Sequence, residues 1–374
     1  MKPCNVLFLI ESLNVGGSEM FLANLLARLD KTEFRPIVCC LVERGRLAQK
    51  LEARGVPVKV LSWRLGSGTS TAATVGRIAR LLKEERIELI QTFFHRPEIL
   101  AGLAGIFVRK PVIVASQYDL IVPKGNLSRL LLRACRPRVK HVIANCRACK
   151  LHRERLTGQR PDDISVIYIG LTRDEYICAD RADVPLPGDL FEKGPVVTFA
   201  GRLLPLKGPD VYLRAAASVL NQCPQTRFLL IGAGPMREEL VSLSGALGLT
   251  GVVYFVPEVS SIREVFSKST IAVSSSRSEG FPITVMEAMG VGVPVVASRV
   301  GGVEELIQDR VDGFLFENED SEGLASEIIA LLTDAGMARE LGARAREKVT
   351  KEFRFEETVA RIESLYRELL AYHV

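Results

Sequence analysis

The sequence predicts an α/β protein of two domains, each built on a doubly wound parallel sheet. The chain has 374 residues, which exceeds one typical domain and is enough for two, each able to bury its own core. Short runs rich in Val and Ile alternate with longer segments of helical period, a pattern typical of parallel strands joined by crossover helices. A stretch rich in Pro and Gly, residues 181–194, interrupts this alternation and is predicted to be the interdomain linker.

The first domain is predicted to span residues 1–180 and to contain seven strands. Each strand is a short apolar run, and segments of helical period separate the runs. The predicted strands are residues 6–10, 37–42, 56–61, 89–92, 112–115, 142–144 and 165–168.

The second domain, predicted at residues 195–354, repeats the pattern with six strands and is followed by a closing helix at residues 355–374. The predicted strands are residues 196–200, 227–231, 252–255, 271–274, 294–297 and 313–316. Apolar residues recur in the closing helix at the helical period, namely Phe355, Val359, Ile362, Tyr366 and Leu369. Such an apolar stripe must pack against another surface.

Composition places the chain among ordinary globular proteins. Hydrophobic residues make up 47% and charged residues 25%. The first apolar run, residues 6–10, is too short for a secretory signal, and no run approaches the roughly 18–20 apolar residues of a membrane span. We therefore expect a cytoplasmic protein that does not span a membrane, with its eight cysteines present as reduced thiols.

The net charge of +5 conceals an asymmetry between the two halves. The first 178 residues contain 29 basic and 16 acidic residues, whereas the remainder contains 20 and 28. Residues 124–160 concentrate the excess, with eleven basic side chains against the single acid Glu154. The eleven are Lys124, Arg129, Arg133, Arg136, Arg138, Lys140, Arg147, Lys150, Arg153, Arg155 and Arg160. Such a concentration indicates an anionic partner.

The basic segment leaves two interpretations open. A helix over residues 126–135 would partly segregate leucines from arginines, which suits peripheral binding to an anionic membrane surface on the cytoplasmic face. The alternative is a basic helix that is simply solvated. Nucleic acid is disfavoured as a partner, because no recognition fold is present and few aromatic residues lie among the charges.

Residues 278–287 form the most informative segment of the chain. Pro282 suits the first turn of a helix, Gly280 permits a tight turn, and Gly290 is predicted to end the helix. A strand-to-helix junction of this kind directs free N–H groups and the positive end of the helix dipole towards one point, which suits a phosphate. Glu279 and Glu287 can both border that point and accept hydrogen bonds from sugar or ribose hydroxyls.

Two cations follow the first strand of the same half. Arg202 and Lys207 occur in a loop that ends at Gly208, beyond a predicted strand end, where doubly wound sheets bind ligands. There they can neutralise a diphosphate leaving group as charge develops on it.

Five blocks between Phe199 and Phe316 have the order and spacing of a known family. They are Gly201-Arg202 with Lys207-Gly208, Gly232-Ala-Gly234, Glu279-Gly-Phe-Pro282 with Glu287, residues 292–297, and Gly301-Gly302 with Glu305. In these blocks the chain resembles family 4 of the retaining glycosyltransferases, also called glycosyl transferases group 1. The resemblance implies a GT-B fold, in which two Rossmann-like domains face each other across a cleft. The N-terminal domain then binds the acceptor, the C-terminal domain binds the nucleotide-sugar donor, and the closing helix packs back on the N-terminal domain.

The resemblance also implies residue roles. In the family, the residues that match Arg202 and Lys207 bind the donor phosphates. The residue that matches Glu279 contacts the transferred sugar, and the one that matches Glu287 holds the ribose hydroxyls. We expect the same roles here, with the following residues lining the donor site: Gly280, Phe281, Pro282, Gly232 and Gly234.

The first half resembles the family more loosely. Gly16 and Gly17, after the first strand, match its glycine loop, which lets the backbone approach the sugar diphosphate. His95 falls where the family often has an active-site histidine near the acceptor and the transferred sugar.

Other site types find less support in the sequence. The Gly232-Ala-Gly234 pattern lacks the third glycine of a dinucleotide fingerprint, since that position is Arg237. A zinc site can be written from Cys135, Cys146, Cys149 and His152, but one helix face explains the x2 spacing equally well. No Asp-x-Asp motif occurs in a plausible active-site loop, so we expect no metal and no cofactor besides the donor itself.

The resemblance therefore implies a retaining glycosyltransferase, and the motifs predict that it is metal-independent. The expected donor is a nucleotide-sugar, with UDP favoured by the family's habit alone, and the expected acceptor is a glycan or lipid-linked molecule in cell-surface polysaccharide or glycolipid biosynthesis. A small-molecule acceptor remains the alternative. Two further alternatives are a catalytically silent protein that binds sugar nucleotides and a scaffold for polysaccharide assembly.

Overall fold

The computed structural model of the protein describes residues 2–14, 16–63, 71–172, 186, 188–259 and 261–372. The chain divides into two compact units, Met1–Ala179 together with Phe355–Val374, and Asp180–Arg354. Each unit contains one parallel sheet flanked by helices, so the predicted fold class is confirmed. Residues 181–185 and 187 of the predicted linker lie outside the described residues.

The first unit is built on a seven-stranded sheet in the order β3-β2-β1-β4-β5-β6-β7. Its strands are β1 (Cys4–Ser12), β2 (Phe34–Glu43), β3 (Val58–Val60), β4 (Leu89–Phe93), β5 (Val112–Gln117), β6 (Val139–Ala144) and β7 (Ile164–Val166). Its helices before the linker are α1 (Gly17–Arg28), α2 (Ala48–Glu52), α3 (Thr71–Glu84), α4 (His95–Phe107), α5 (Asn126–Cys135) and α6 (Arg147–Thr157). The strand order reverses between β1 and β4, and the carboxyl ends of these two strands flank the crevice in which doubly wound sheets bind ligands.

The second unit is built on a six-stranded sheet in the order β10-β9-β8-β11-β12-β13. Its strands are β8 (Val196–Ala200), β9 (Arg227–Ile231), β10 (Val253–Val256), β11 (Ile271–Ser274), β12 (Val295–Ser298) and β13 (Phe314–Phe316). Its helices are α7 (Pro209–Leu220), α8 (Arg237–Ala246), α9 (Ile262–Lys268), α10 (Ile283–Val291), α11 (Val303–Leu306), α12 (Ser321–Thr333) and α13 (Ala335–Glu352). Here the strand order reverses between β8 and β11.

The second unit also includes the end of the predicted linker. Leu190 is fully buried in an apolar cluster with Val196 and Leu229. Residues on this side of the linker therefore pack as part of the second unit.

The closing helix, α14 (Phe355–Ala371), belongs to the first unit. The five residues of its predicted apolar stripe are all buried. Phe355 packs edge-on against Phe21 at 5.9 Å, and Tyr366 packs against Phe34 at 5.6 Å. The Tyr366 hydroxyl also donates a hydrogen bond to the buried amide oxygen of Gln91 on β4. The stripe therefore completes the core of the first unit.

No helix within the described ranges is both long and apolar enough to cross a membrane.

Candidate active site

The candidate donor site lies at the carboxyl edge of the second sheet. The loop after β8, residues 201–208, and the loop after β11, residues 275–282, flank the point where the strand order reverses. Doubly wound sheets bind ligands at such a point because the neighbouring loops turn in opposite directions and leave a crevice. The sequence motifs thus fall where the fold provides space.

Lys207 and Glu279 come from these two loops and meet in an ion pair. The Lys207 ammonium lies 2.5 Å from Oε1 of Glu279, and the Ser276 hydroxyl donates to the same oxygen at 2.6 Å. The side chains are 24% and 12% exposed, so the pair is mostly shielded but remains reachable. A cation and a hydrogen-bond acceptor therefore stand side by side at the strand reversal.

Arg202, six residues after the start of β8, is exposed. Its guanidinium makes no hydrogen bond or ion pair with any residue that the structure describes. Its side chain is therefore not committed to a structural contact in the second unit.

A third basic residue, missed by the sequence analysis, braces the two loops. The Arg277 amide donates to the Leu206 carbonyl at 2.8 Å, and its guanidinium donates to the Pro205 carbonyl at 2.6 Å. The same guanidinium makes a two-pronged contact with the carboxylate of Asp210, at 2.9 Å for each prong. Hydrogen bonding to Asp210 raises the pKa of Arg277. These contacts fix the turn that carries Lys207 against the loop that carries Glu279.

Three glycines permit close contacts between the loops. Gly208 has φ +61°, and a Cβ there would lie 1.9 Å from the Ser275 carbonyl oxygen. Gly232 has φ +152°, and a Cβ there would lie 1.9 Å from the Gly201 carbonyl oxygen. A Cβ on Gly234 would lie 2.4 Å from the Leu203 carbonyl oxygen. These three glycines therefore allow the loops around the site to pack closely against each other.

The loop after β11 leads into α10, whose amino terminus faces the same crevice edge. Pro282 is the N-cap residue of α10, one position before the predicted first turn. The Gly280 carbonyl, two residues earlier, accepts a hydrogen bond from the Gly302 amide at 2.9 Å. Glu287 lies in the second turn of α10 and is 7% exposed. The free N–H groups of the first turn make this terminus suitable for a phosphate.

The predicted end of this helix is wrong. The helix ends at Val291 with Gly292 as its left-handed C-cap (φ +83°), and Gly290 is helical.

The ring of Phe281 is buried and packs against Phe353 at 5.3 Å, so its side chain belongs to the core of the second unit. What Phe281 can offer a ligand is its backbone.

In the first unit, Gly16 and His95 follow the two strands at which the strand order reverses. Gly16 is the N-cap of α1, whose first residue is Gly17, and His95 is the first residue of α4. Phe94, the N-cap of α4, has φ +71°, a conformation that costs a bulky residue about 1–3 kcal/mol. Burial lowers the pKa of His95. The imidazole is therefore neutral at neutral pH and can exchange a proton.

Asp119, in the first unit, is a further residue that the sequence analysis missed. It follows β5, the neighbour of β4, and it lines the same small cavity as His95. Its Oδ1 accepts a hydrogen bond from the Ile121 amide at 3.1 Å, and the Gln117 side chain donates to its carbonyl at 2.7 Å. Burial raises the pKa of Asp119.

The basic segment is less available to a partner than its composition predicts. Arg153 is buried and makes a two-pronged ion pair with the buried Glu98, at 2.8 and 2.5 Å. Arg133 and Arg136 donate to the Leu156 and Gly158 carbonyls at the end of α6, at 2.9 and 2.6 Å. These three arginines therefore have structural roles.

The remaining surface of α5 is both apolar and basic. Its Leu127 and Leu130 are 68% and 64% exposed, and Lys124 and Arg129 are exposed beside them. The helix bounds agree with residues 126–135 of the sequence analysis.

The cysteines of the possible zinc quartet are occupied in packing. Cys146 caps α6 by accepting a hydrogen bond from the Cys149 amide, and both side chains are fully buried. Among the residues that the structure describes, no group of three or more His, Cys, Asp or Glu side chains is arranged to hold a metal ion.

Sequence comparisons agree with the architecture. Residues 185–348 match the family described as "Glycosyl transferases group 1", and residues 15–175 match "Glycosyltransferase Family 4". The chain is 35% identical over 227 residues to a D-inositol 3-phosphate glycosyltransferase of Acidothermus cellulolyticus, covering 58% of this chain and 50% of the relative. It is 29% identical over 208 residues to an N-acetyl-alpha-D-glucosaminyl L-malate synthase of Bacillus anthracis, covering 56% and 54%. The chain thus spans about half the length of the curated relatives it matches.

A comparison of folds extends over nearly the whole chain. The crystal structure of Anabaena HepE in complex with UDP superposes with a TM-score of 0.81 at 23% identity, covering 97% of this chain and 100% of HepE. HepE has also been solved with UDP-glucose. The superposition establishes the GT-B fold for this chain.

Proposed function

We propose that this chain, which belongs to the family 4 glycosyltransferases, transfers a sugar from a nucleotide-sugar bound in its second unit to an acceptor hydroxyl. The observation that carries the proposal is the Lys207–Glu279 pair at the strand reversal of the second sheet, beside the amino terminus of α10. A diphosphate needs cations and N–H groups, and a sugar needs a carboxylate that accepts from its hydroxyls. The two loops supply all three.

Each side chain takes one role in this reaction. Lys207 and Arg202 stabilise the negative charge that grows on the diphosphate as the bond between the sugar C1 and the phosphate oxygen breaks. Glu279 accepts hydrogen bonds from hydroxyls of the transferred sugar, and Glu287 accepts them from the ribose. In the resting site Glu279 neutralises Lys207, so donor binding exchanges one ionic partner for another.

We also propose that the anomeric configuration is retained and that no metal takes part. The acceptor oxygen attacks C1 from the face that the diphosphate leaves, and its proton passes to the departing phosphate oxygen. The two loops hold no side chain placed as a covalent nucleophile apart from Glu279, whose Oε1 is held by Lys207 and Ser276. Two cations and a helix terminus can take the place of a divalent ion on the diphosphate.

UDP is the nucleotide we favour. The support is that HepE, which shares the fold, binds UDP and UDP-glucose. A thermal-shift series with UDP, GDP and ADP sugars tests the choice, because a ligand that binds the folded state alone raises the melting temperature.

For the acceptor, we favour a small hydroxylated molecule. Two of the curated relatives are named for inositol 3-phosphate and malate, which are both small hydroxylated molecules. A glycan or lipid-linked acceptor of polysaccharide or glycolipid assembly is the second candidate, and the exposed apolar and basic face of α5 favours it.

A lipid-linked acceptor would be reached by peripheral binding to an anionic membrane on the cytoplasmic side. Leu127 and Leu130 would enter the interface while Lys124 and Arg129 contact lipid phosphates. Sedimentation with anionic and neutral vesicles at low salt tests the idea. Binding that is equal for both vesicle types, or unaffected by salt, would rule out the electrostatic contribution.

The decisive experiment for the proposed function measures transfer and donor hydrolysis with Lys207→Ala and Glu279→Gln. Lys351→Ala provides the matched control, because Lys351 is an exposed lysine of the same unit whose ion pair lies on the surface of α13. We expect both site variants to fold and to lose turnover, with the control unchanged. Near-normal turnover in either site variant would remove that residue from its role. Donor binding without transfer or hydrolysis in the unaltered protein would favour a silent binder or scaffold.

A further inference from the structure

The cavity beside His95 contains a carboxylate that the proposed reaction has not yet used. His95 follows β4 and Asp119 follows β5, and these strands are neighbours in the first sheet. Both side chains line one small cavity, together with Ser116 and Gln117 at the end of β5. His95 and Asp119 are therefore within reach of one small group.

The backbone and a neighbouring side chain hold Asp119 in place. Its Oδ1 accepts from the Ile121 amide at 3.1 Å, and the Gln117 side chain lies 3.4 Å from the same oxygen. Its Oδ2 makes no hydrogen bond to any residue that the structure describes. One carboxylate oxygen is thus fixed while the other can accept from a ligand.

Two cations near the cavity are already paired. Arg153 is bound to Glu98, and Arg96 faces Glu11 at 3.6 Å. The histidines that face Asp119, His95 and His152, both have pKa values lowered by burial and are neutral at neutral pH. The described surroundings of Asp119 therefore favour a neutral hydrogen-bond donor over an anion.

We propose that Asp119 binds a hydroxyl of the acceptor adjacent to the hydroxyl that attacks, so that the acceptor is a vicinal diol or polyol and not a hydroxy acid. The inference rests on the proposed function and names the substrate class of its acceptor side. A carboxylate in the adjacent position, as in malate, would meet the Asp119 carboxylate and be repelled. A hydroxyl in that position donates a hydrogen bond to Oδ2. The preference for a hydroxyl over a carboxylate therefore comes from repulsion of the carboxylate as well as from the hydrogen bond to the hydroxyl.

The test compares two four-carbon probes that differ in this group, erythritol and L-malate, with myo-inositol as a cyclic polyol. Binding to the full chain saturated with UDP is measured by saturation-transfer NMR at pH 7.5. Asp119→Asn keeps an oxygen for the Ile121 amide but removes the charge. Asp162→Asn is the matched control, because Asp162 is an 89% exposed aspartate of the same unit.

The expected result is that the unaltered protein and Asp162→Asn bind the polyols in preference to malate. In Asp119→Asn, the affinity for polyols should fall roughly 10- to 100-fold, the range for a hydrogen bond to a charged group. The affinity for malate should rise. Equal or tighter binding of malate by the unaltered protein would overturn the inference. So would failure of every polyol to bind, or polyol binding by Asp119→Asn that matches the control.

Two readouts separate this inference from its premise and from a structural role. UDP binding is measured on the same samples: its absence would contradict the proposed function, whereas UDP binding with unchanged polyol affinity would contradict the Asp119 assignment alone. The melting temperature distinguishes a ligand-binding role of Asp119 from a structural one. A carboxylate that stabilises the fold would lower the melting temperature when replaced, whereas Asp119, whose pKa burial raises, should raise it when replaced by Asn at neutral pH.

Discussion

Arg277 offers the sharpest test of how the donor loops are held. Replacing it with Gln removes the two-pronged contact with Asp210 and the bond to the Pro205 carbonyl, and it leaves Asp210 with Arg214 at 4.0 Å as its nearest cation. The Arg277 and Asp210 side chains are 27% and 16% exposed, so the pair is partly shielded from solvent. The contact with Glu319, which is 61% exposed, should contribute little.

The expected loss of stability in Arg277→Gln follows from these contacts. Charge-assisted hydrogen bonds contribute about 1.5–3 kcal/mol, and breaking a fully buried ion pair costs about 3–5 kcal/mol. For a partly shielded pair we expect Arg277→Gln to lower the free energy of unfolding by about 2–3 kcal/mol. In a unit of this size that corresponds to a fall in melting temperature of roughly 4–12 °C.

The assay combines thermal unfolding with UDP titration. Because Arg277 fixes the turn that carries Lys207, UDP affinity should weaken together with stability. Arg277→Lys should recover part of both, since it restores the charge without the planar fork. Arg344→Gln is the control, because its pair with Glu340 is exposed. Unchanged melting and UDP affinity in Arg277→Gln would refute the bracing role.

Three further predictions follow from single contacts. Gly208→Ala should destabilise by more than about 1 kcal/mol because of the positive φ and the facing backbone oxygen, whereas Gly245→Ala, with open space on α8, should be neutral or stabilising in the same denaturant titration. Tyr366→Phe should cost about 1–3 kcal/mol, since it leaves the buried Gln91 oxygen without its donor; an unchanged midpoint would contradict this. Burial lowers the pKa of His95 below 6.5, so the unfolded chain takes up that proton first as the pH falls. Stability gained from neutral His95 is therefore complete above pH 6.5 and declines below it, and His95→Gln should flatten this decline relative to the unaltered protein.

The sequence predicted strands most accurately where apolar runs are bounded by breakers. Three strands of the second unit, β8, β9 and β11, coincide with their predicted ranges. By contrast, β2 starts at Phe34, ahead of Pro36, and β6 starts at Val139, ahead of the polar pair Lys140 and His141. In both strands the apolar pattern begins later than the backbone pairing does.

In the site, as in the strands, the sequence predicted local features and missed those that depend on distant partners. Lys207 and Glu279 stand out because they belong to local motifs, and the structure brings them together. Arg277 acts through Asp210, which the fold places beside it although the two are 67 positions apart. Asp119 lines one cavity with His95, which comes from a different strand end. The charge count overstated the number of basic side chains available to a partner for a related reason. Arg153 forms a buried ion pair with Glu98, which lies 55 positions away in the sequence. Pairings at such separations are not visible in the sequence of one chain.

The most direct test of the central claim is a crystal structure of the protein with UDP-glucose. We predict that the diphosphate lies at the strand reversal of the second sheet, in contact with Lys207, Arg202 and the first turn of α10, and that Glu279 accepts hydrogen bonds from the glucose hydroxyls. Density for the nucleotide elsewhere, or in that crevice with Lys207 and Glu279 still paired to each other and apart from the ligand, would contradict it.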